Sequence, residues 1–170
     1  TVTDRKPTSE LAARATALGP GVRLEPGGHR IESFRRADLV VLSPGVPPLP
    51  ELAEARGEVL GELELGCRLL ASRIVAITGT NGKSTTTSLV GAMLERLGRP
   101  LFVGGNLGTA VCEAVGGPAD VPDGIVVIEA SSFQLETVTL LHAHVAALLN
   151  VTEDHLDRYA DLAAYASAKS

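Results

Sequence analysis

The residues most able to do chemistry lie in the stretch "AITGTNGKSTTT", residues 76–87. Gly79 and Gly82 permit backbone angles and a close approach to a ligand that any side chain would forbid. The amides of such a turn can point inward, and a helix that follows adds the positive end of its dipole. Lys83 would then reach the outer phosphates of a nucleotide, and the hydroxyl of Ser84 would ligate Mg²⁺. The stretch therefore predicts a site for a nucleoside triphosphate.

An ordinary tight turn before a helix remains the alternative for this stretch. The strict phosphate-loop pattern needs a glycine where this chain has Ile77, and a bare Gly-Lys-Ser is common by chance. The apolar run before the turn and the amphipathic pattern after it favour the nucleotide site over the plain turn.

Two further polar stretches follow apolar runs. "VVIEASSFQLE" puts Glu129 at the end of a predicted strand, where a carboxylate is costly unless it is paired or bound to a metal. Glu129 is therefore a candidate Mg²⁺ ligand, with a helix cap as the alternative. "LLNVTEDHLDRY" places His155 among several acids. Acids suit the first turn of a helix, but they do not explain the histidine. Ligands bind at the carboxyl ends of parallel strands, so all three stretches are expected at one site.

The elements that position these stretches alternate between strands and helices. Strands are predicted over 38–42 and in "RIVAIT", "GIVVIEA" and "VAALLNV". They lack polar alternation, which is typical of a parallel sheet covered by helices on both faces. Two helices are predicted from apolar stripes: Leu60, Leu63, Cys67 and Leu70, and then Leu89, Val90, Met93, Leu94 and Leu97. The fold class is therefore α/β, with a domain boundary near Ser72.

Composition excludes several function classes. The chain has 170 residues, a net charge of -5 and 3% aromatic residues. General binding of nucleic acid needs an excess of Lys and Arg, so it is not expected. Cys67 and Cys112 have no CxxC spacing, which favours reduced thiols in a cytosolic protein over a disulfide or zinc site. No apolar run approaches the ~18 residues of a membrane span, and no signal peptide is recognised. A cytoplasmic protein without a membrane segment is expected.

Taken together and in order, "TGTNGKSTTT", "GGNLG", "EASSFQLE" and "NVTEDHLDRY" resemble the Mur ligase family, the amide-forming ATPases of peptidoglycan precursor synthesis. "LSPGVPP" and "GELELGCR" are similar to the uridine-nucleotide-binding domain of that family. The resemblance covers essentially the whole chain. It implies a partial Rossmann-like N-terminal domain at 1–72, and the first part of a P-loop-type ATP-binding domain at 73–170. The resemblance further implies that the family's C-terminal domain is absent from this chain.

The resemblance also implies roles for individual residues. Lys83, His155 and Lys169 would be catalytic. Two Mg²⁺ sites are implied, one at Ser84 and Glu129 and one at His155, with Lys169 as a carbamate bridging to the second. Asn106 and Ser131 would contact the substrate. The residues implied to cradle ATP are Gly79, Thr80, Asn81, Gly82, Lys83, Ser84 and Thr85. Those implied to approach the uridine diphosphate are Thr3, Asp4, Arg5, Ser43, Pro44 and Gly45.

The wording "SSFQLE" and "NVTEDHLDRY" is similar to family members that add D-glutamate to UDP-N-acetylmuramoyl-L-alanine. In the implied reaction, the substrate carboxylate attacks the γ-phosphate of ATP, and the amine then displaces phosphate from the acyl phosphate. One alternative is a sister ligase that adds another amino acid or extends folates with glutamate. The other is a nucleotide-binding fragment without catalysis. A monomer is expected.

Overall fold

The computed structural model describes residues 1–47 and 49–169. The chain forms two compact units. One comprises Thr1–Val40 and Val46–Val59, and the other comprises Val41–Gly45 and Leu60–Ser170. The division into functional domains at 1–72 and 73–170 stays a prediction, because compactness alone does not show which residues share a function.

The first unit contains short elements around a small core. Strand β1 runs parallel to β2, with Val2 opposite Leu24 and Asp4 opposite Pro26. Leu11, Phe34 and Leu49 are its buried apolar side chains. The elements up to residue 61, in chain order, are β1 (Val2–Asp4), α1 (Thr8–Ala15), β2 (Leu24–Pro26), α2 (Ile31–Arg36), β3 (Leu39–Leu42), a 3-10 helix (Pro50–Glu54) and β4 (Glu58–Gly61). β3 pairs with β4, and the last two residues of each of these strands belong to the second unit.

The second unit is a parallel sheet of four strands in the order β6-β7-β5-β8. Its elements are α3 (Glu62–Leu69), β5 (Arg73–Thr78), α4 (Lys83–Glu95), β6 (Leu101–Gly105), a 3-10 helix (Val111–Ala114), β7 (Ile125–Glu129), α5 (Ser132–Leu135), β8 (Val145–Leu148) and α6 (Leu162–Ser167). All five residues of β7 are buried. Val126 and Ile128 join the core cluster that includes Leu63 of α3, whereas Ile125 and Val127 join the cluster that includes Val90 of α4. The α/β prediction is confirmed, with a helix packed on each face.

Both predicted helical stripes are wrong at their ends. Leu60 belongs to β4 and Leu70 follows α3, so only Leu63 and Cys67 of the predicted stripe lie in the helix, where Glu64 and Gly66 are buried beside them. In α4, Leu89 and Met93 are 58% and 63% exposed, and Leu97 lies beyond the helix.

Helix α4 packs close to the sheet at a glycine, Gly91. A Cβ at Gly91 would lie 2.7 Å from the Cγ2 atom of Val103 in β6. Thr87 and Gly91 are the buried residues of this helix, and Val90 and Leu94 pack beside them. Leu89 and Met93 are each two positions from Gly91, about 200° around the helix, so they lie on the side away from the sheet.

Two strands differ from the sequence prediction. Strand β6, "LFVGG", was not predicted, because its two glycines weaken the strand pattern. Strand β8 lies at the end of the sheet, and its Val145 and Leu148 are 56% and 49% exposed. The prediction that helices cover both faces of the sheet is therefore wrong for this strand. Among the described residues, no helix is both long and apolar enough to cross a membrane.

Candidate functional site

The turn between β5 and α4 has the backbone that its glycines predict. Gly79 has φ +150° and Gly82 has φ +82°, both in the region that favours glycine. A Cβ at Gly79 would lie 3.1 Å from the Cβ atom of Leu149. The N–H of Thr86 donates to the carbonyl of Gly82 at 3.0 Å. The amides of residues 83–85 therefore precede the first hydrogen bond of the helix, as an anion site at a helix start requires.

The loop after β8 braces this turn. The N–H of Thr80 donates to the Asn150 carbonyl at 2.9 Å. The Asn150 side chain exchanges two hydrogen bonds with the Asn81 backbone, each 2.9 Å long. The Thr80 hydroxyl accepts from the N–H of Thr152 at 3.0 Å. Asn150 and Thr152, two polar residues of the stretch "LLNVTEDHLDRY", thus hold the turn in shape.

Two lysines lie against the carbonyls of the turn. Lys83 donates to the Thr80 carbonyl at 2.9 Å, and Lys169 donates to the Gly79 carbonyl at 3.1 Å. Lys169 is only 7% exposed, and its ammonium lies 4.7 Å from the ring centroid of Tyr165. Burial, followed by the charge of Lys83, lowers the pKa of Lys169, although Asp154 opposes the shift. The structure thus brings Lys169 to the turn, which no local pattern in the sequence requires.

Glu129 is a buried carboxylate with one oxygen left open. It is 1% exposed, and its Oε1 accepts a hydrogen bond from the Asn106 side chain at 2.6 Å. Its Oε2 is buried, with no hydrogen-bond partner among the described residues. An unpartnered carboxylate oxygen in the interior is costly, and such an oxygen is the atom that Mg²⁺ selects. The site therefore fits a hard divalent cation.

The sheet register places Glu129 beside the turn. Glu129 lies opposite Ile77 in β5 and opposite Gly105 in β6. Past the strand ends, the Thr78 hydroxyl donates to the Ala130 carbonyl at 2.8 Å. Strand β6, which the sequence did not reveal, delivers Asn106 to this same edge. Four strand ends therefore meet where the sequence predicted three.

His155 lies on the loop after β8 in a left-handed conformation, with φ +52°. Its ring centroid is 4.7 Å from that of Phe133, and its side chain is 43% exposed. Among the described residues, no group of three or more His, Cys, Asp or Glu side chains could hold a metal ion. The metal role of His155 stays a prediction.

Ser131 caps helix α5. Its hydroxyl accepts from the N–H of Gln134 at 3.2 Å, and the Gln134 side chain accepts from the N–H of Ser131 at 3.0 Å. The helix cap considered for Glu129 is thus provided by Ser131, which leaves Glu129 free for another role. The predicted contact of Ser131 with substrate stays a prediction.

The residues predicted to approach the uridine diphosphate lie in or directly after two strands. In β1, the Thr3 hydroxyl lies 2.7 Å from Nδ1 of His29 and Asp4 accepts from the N–H of Lys6 at 2.8 Å, and Arg5, which follows the strand, is exposed. Ser43, Pro44 and Gly45 follow β3 and are exposed, and Gly45 has φ +80°. Their binding role stays a prediction.

Comparison with known proteins adds independent findings. Residues 77–170 match the family model described as the Mur ligase middle domain. The chain is 53% identical over 175 residues to the UDP-N-acetylmuramoylalanine--D-glutamate ligase of Anaeromyxobacter dehalogenans, covering 100% of this chain and 37% of that protein. It is 46% identical to the ligase of the same name from Acidobacterium capsulatum, covering 99% of this chain and 37% of that protein. The chain thus spans about 37% of the length of these relatives.

A solved structure is similar in fold. It is the UDP-N-acetylmuramate:L-alanyl-gamma-D-glutamyl-meso-diaminopimelate ligase from Neisseria meningitides, with a TM-score of 0.56 and 22% sequence identity. The match covers 98% of this chain and 57% of that chain. At this identity the likeness supports the α/β fold only.

Proposed function

Since this chain belongs to the Mur ligase family, we propose that it is the nucleotide-binding part of a ligase that joins D-glutamate to UDP-N-acetylmuramoyl-L-alanine. The family predicted from the motifs is confirmed by the match over residues 77–170. One observation of the structure supports a nucleotide and metal site in this chain. A buried carboxylate with an open oxygen, Glu129, lies beside the start of a glycine turn.

The choice of D-glutamate rests on the relatives. Two proteins named for D-glutamate addition are 53% and 46% identical to this chain over nearly all of it. The solved ligase with a different printed substrate is only 22% identical. A ligase for another amino acid is therefore the weaker alternative.

ATP would bind along residues 79–85. The amides of Lys83, Ser84 and Thr85 lie outside the helical hydrogen-bond ladder, so they are available to phosphate oxygens. Lys83 now donates to the Thr80 carbonyl and would exchange that bond for the outer phosphates. Both partners of the phosphate contact are charged, so the attraction between opposite charges is added to the hydrogen bond.

Mg²⁺ would be held by Ser84 and Glu129, and a second Mg²⁺ by His155 with Lys169. A bound cation supplies positive charge that offsets the repulsion between the substrate carboxylate and the triphosphate. Lys169 would serve as a carbamate. Support comes from its lowered pKa, because burial and Lys83 increase the fraction of neutral amine that can react with carbon dioxide.

The reaction would proceed in two steps. The L-alanyl carboxylate attacks the γ-phosphate and gives an acyl phosphate and ADP, and the amine of D-glutamate then displaces phosphate to form the amide. Lys83 would neutralise charge at the phosphates as it develops. Asn106 and Ser131 would orient the substrate near its reacting end, and residues 3–5 and 43–45 would hold its uridine diphosphate. We propose that the protein acts in the cytoplasm as a monomer, without nucleic acid or membrane.

The test is phosphate release from ATP by the complete gene product. It is supplied with UDP-N-acetylmuramoyl-L-alanine and each candidate amino acid in turn. We expect release that requires D-glutamate. Release with a different amino acid would move the protein to a sister ligase, and ATP binding without release would leave only a nucleotide-binding module.

Lys83→Ala identifies the turn as the site of that activity. We expect turnover to fall by about 10³-fold, the size typical of losing a transition-state charge partner. Arg99→Ala is the control, because it removes a surface cation whose partner is Asp123 at 2.9 Å. Equal loss in both variants, or substantial release in Lys83→Ala, would argue against the nucleotide site.

A further inference from the structure

Glu136 joins two stretches that both carry predicted metal ligands. It follows α5, shortly after Glu129, and its carboxylate binds the loop that contains His155. Arg158 donates to Glu136 from Nε at 3.1 Å and also from Nη2. The hydroxyl of Tyr159 donates to the same carboxylate. The side chains of Glu136 and Arg158 are each only 28% exposed, so this clamp is partly shielded from water.

The residues that Glu136 holds are those that fix the backbone of His155. His155 adopts φ +52°, which is uncommon for a residue with a side chain. Its carbonyl accepts from the N–H of Arg158 at 2.9 Å and from the N–H of Tyr159 at 3.0 Å. A displacement of Arg158 and Tyr159 would therefore remove these two hydrogen bonds and leave the His155 backbone with the one that its N–H donates to Oδ1 of Asp154 at 2.9 Å.

Helix α5 also packs against the imidazole itself. The Phe133 ring lies 4.7 Å from the ring of His155, centroid to centroid, and the Arg158 guanidinium lies 4.4 Å from the Phe133 centroid. The Tyr159 ring stacks on Phe133 at 6.3 Å. The two clamp residues Arg158 and Tyr159 thus also contact Phe133, the ring that packs on the imidazole, which further lies 3.6 Å from Asp154 and 6.2 Å from the Tyr165 ring.

The charge state of the clamp suits this arrangement. Burial acts to raise the pKa of Glu136, but the hydrogen bonds from Arg158 and Tyr159 outweigh it, so the pKa is lowered and the carboxylate is ionised at neutral pH. Burial, with the Glu136 bond, raises the pKa of Tyr159 to about 12, so its hydroxyl remains a donor.

We infer that Glu136 is a positioning residue, which sets the orientation of the His155 imidazole through Arg158 and Tyr159. The consequence for a cation at His155 rests on the proposed function. A purely structural clamp would lower the melting temperature of a variant without altering His155 in the molecules that stay folded.

The experiment follows the His155 ring by NMR in the complete gene product with isotope-labelled histidine, and His155→Asn assigns the signal. We expect Glu136→Gln to shift the ring signals at temperatures where the protein is folded. With Mn²⁺ as the probe, we expect the concentration that half-broadens the His155 signal to rise about 10-fold, as is typical when a residue behind a metal ligand is lost. Glu95→Gln, an exposed glutamate at the end of α4, is the control and should leave both unchanged.

Glu136→Gln and Arg158→Gln, alone and combined, test whether Glu136 acts on His155 through Arg158. If both act through one clamp, the double variant should shift His155 no further than the larger single change. Unchanged His155 signals in folded Glu136→Gln, or fully additive effects in the double variant, would overturn the inference. Absence of Mn²⁺ broadening at His155 in the unmodified protein would instead overturn the proposed metal role, while the ring shift would still decide whether Glu136 positions the imidazole.

Discussion

Two buried glutamates of the second unit, Glu64 and Glu129, have opposite surroundings. They are 0% and 1% exposed. Glu64 accepts from Nε of Arg68 at 2.6 Å and from the backbone N–H groups of residues 139–141 at 3.2, 2.9 and 3.1 Å. Glu129 accepts one side-chain hydrogen bond, from Asn106, and its Oε2 has no partner among the described residues.

The difference separates a carboxylate that supports the fold from one kept open for a ligand. These hydrogen bonds to Glu64, with a longer one of 3.5 Å from the Thr139 hydroxyl, compensate its charge and fix the segment that leads into β8. The open oxygen of Glu129 lowers stability until something binds it. Burial alone would class the two residues together, so the count of satisfied oxygens is what distinguishes them.

The largest effect is expected from Glu129→Gln. The amide keeps an oxygen for Asn106 but removes the negative charge, so phosphate release should fall by about 10³-fold. The melting temperature should stay the same or rise, because an uncompensated buried charge is lost. Phosphate-release kinetics and thermal melting measure the two effects. A strong fall in melting temperature would mean that Glu129, like Glu64, supports the fold.

Glu64→Gln should show the reverse pattern. It leaves backbone donors of residues 139–141 poorly matched, so the free energy of unfolding should fall by about 3 kcal/mol. Urea unfolding measures this, and kcat at a temperature where the variant is folded should change little. A variant with normal stability but lost turnover would contradict the structural role.

Asn106→Ala tests the role of Glu129 by removing its hydrogen-bond partner. Asn106 fixes Oε1 of Glu129 and so leaves Oε2 as the open atom. We expect the Mg²⁺ concentration for half-maximal activity to rise about 10-fold, the loss typical of removing a group that orients a metal ligand. A rise in KM for the substrate without any change in Mg²⁺ dependence would instead support the substrate contact predicted for Asn106.

The smallest effect is a dependence on pH. Burial acts to raise the pKa of Glu64, but Arg68 and the backbone donors outweigh it, and the pKa lies below the ordinary 4.5. A lowered pKa in the folded state gives stability that is present above the unfolded value and is lost as pH falls through the folded value. The difference in unfolding free energy between the unmodified protein and Glu64→Gln should therefore shrink below about pH 4.5. Urea titrations from about pH 6 to 3 test this, and a constant difference would contradict the stated pKa direction.

Much of the second unit could be predicted because its signals are local. The apolar run of β5 and the glycines of the turn determine their own conformations, and both agree with the structure. The predicted stripe of α4 is wrong because the helix packs on β6 along the side that carries Gly91, and Leu89 and Met93 lie on the opposite side. That contact depends on β6, whose glycines concealed it, so no local pattern revealed it.

The hydrogen bonds that brace the site likewise could not be predicted from the sequence. Asn150 holds the backbone of Asn81, and Lys169 donates to the Gly79 carbonyl. These pairs lie 69 and 90 residues apart in the chain. The same asparagine and lysine would read as ligand groups or as surface residues without the fold.

The sequence by itself determined the α/β class, the left-handed turn before α4, the polar groups at the strand ends and the family. These depend on backbone sterics, apolar periodicity and motif wording, which act over short stretches of chain. Only the tertiary structure decided that Glu64 is fully bonded, that Glu129 keeps an open oxygen and that Glu136 holds the His155 loop. A buried carboxylate is satisfied by donors from distant segments, and folding alone brings those donors within hydrogen-bonding distance.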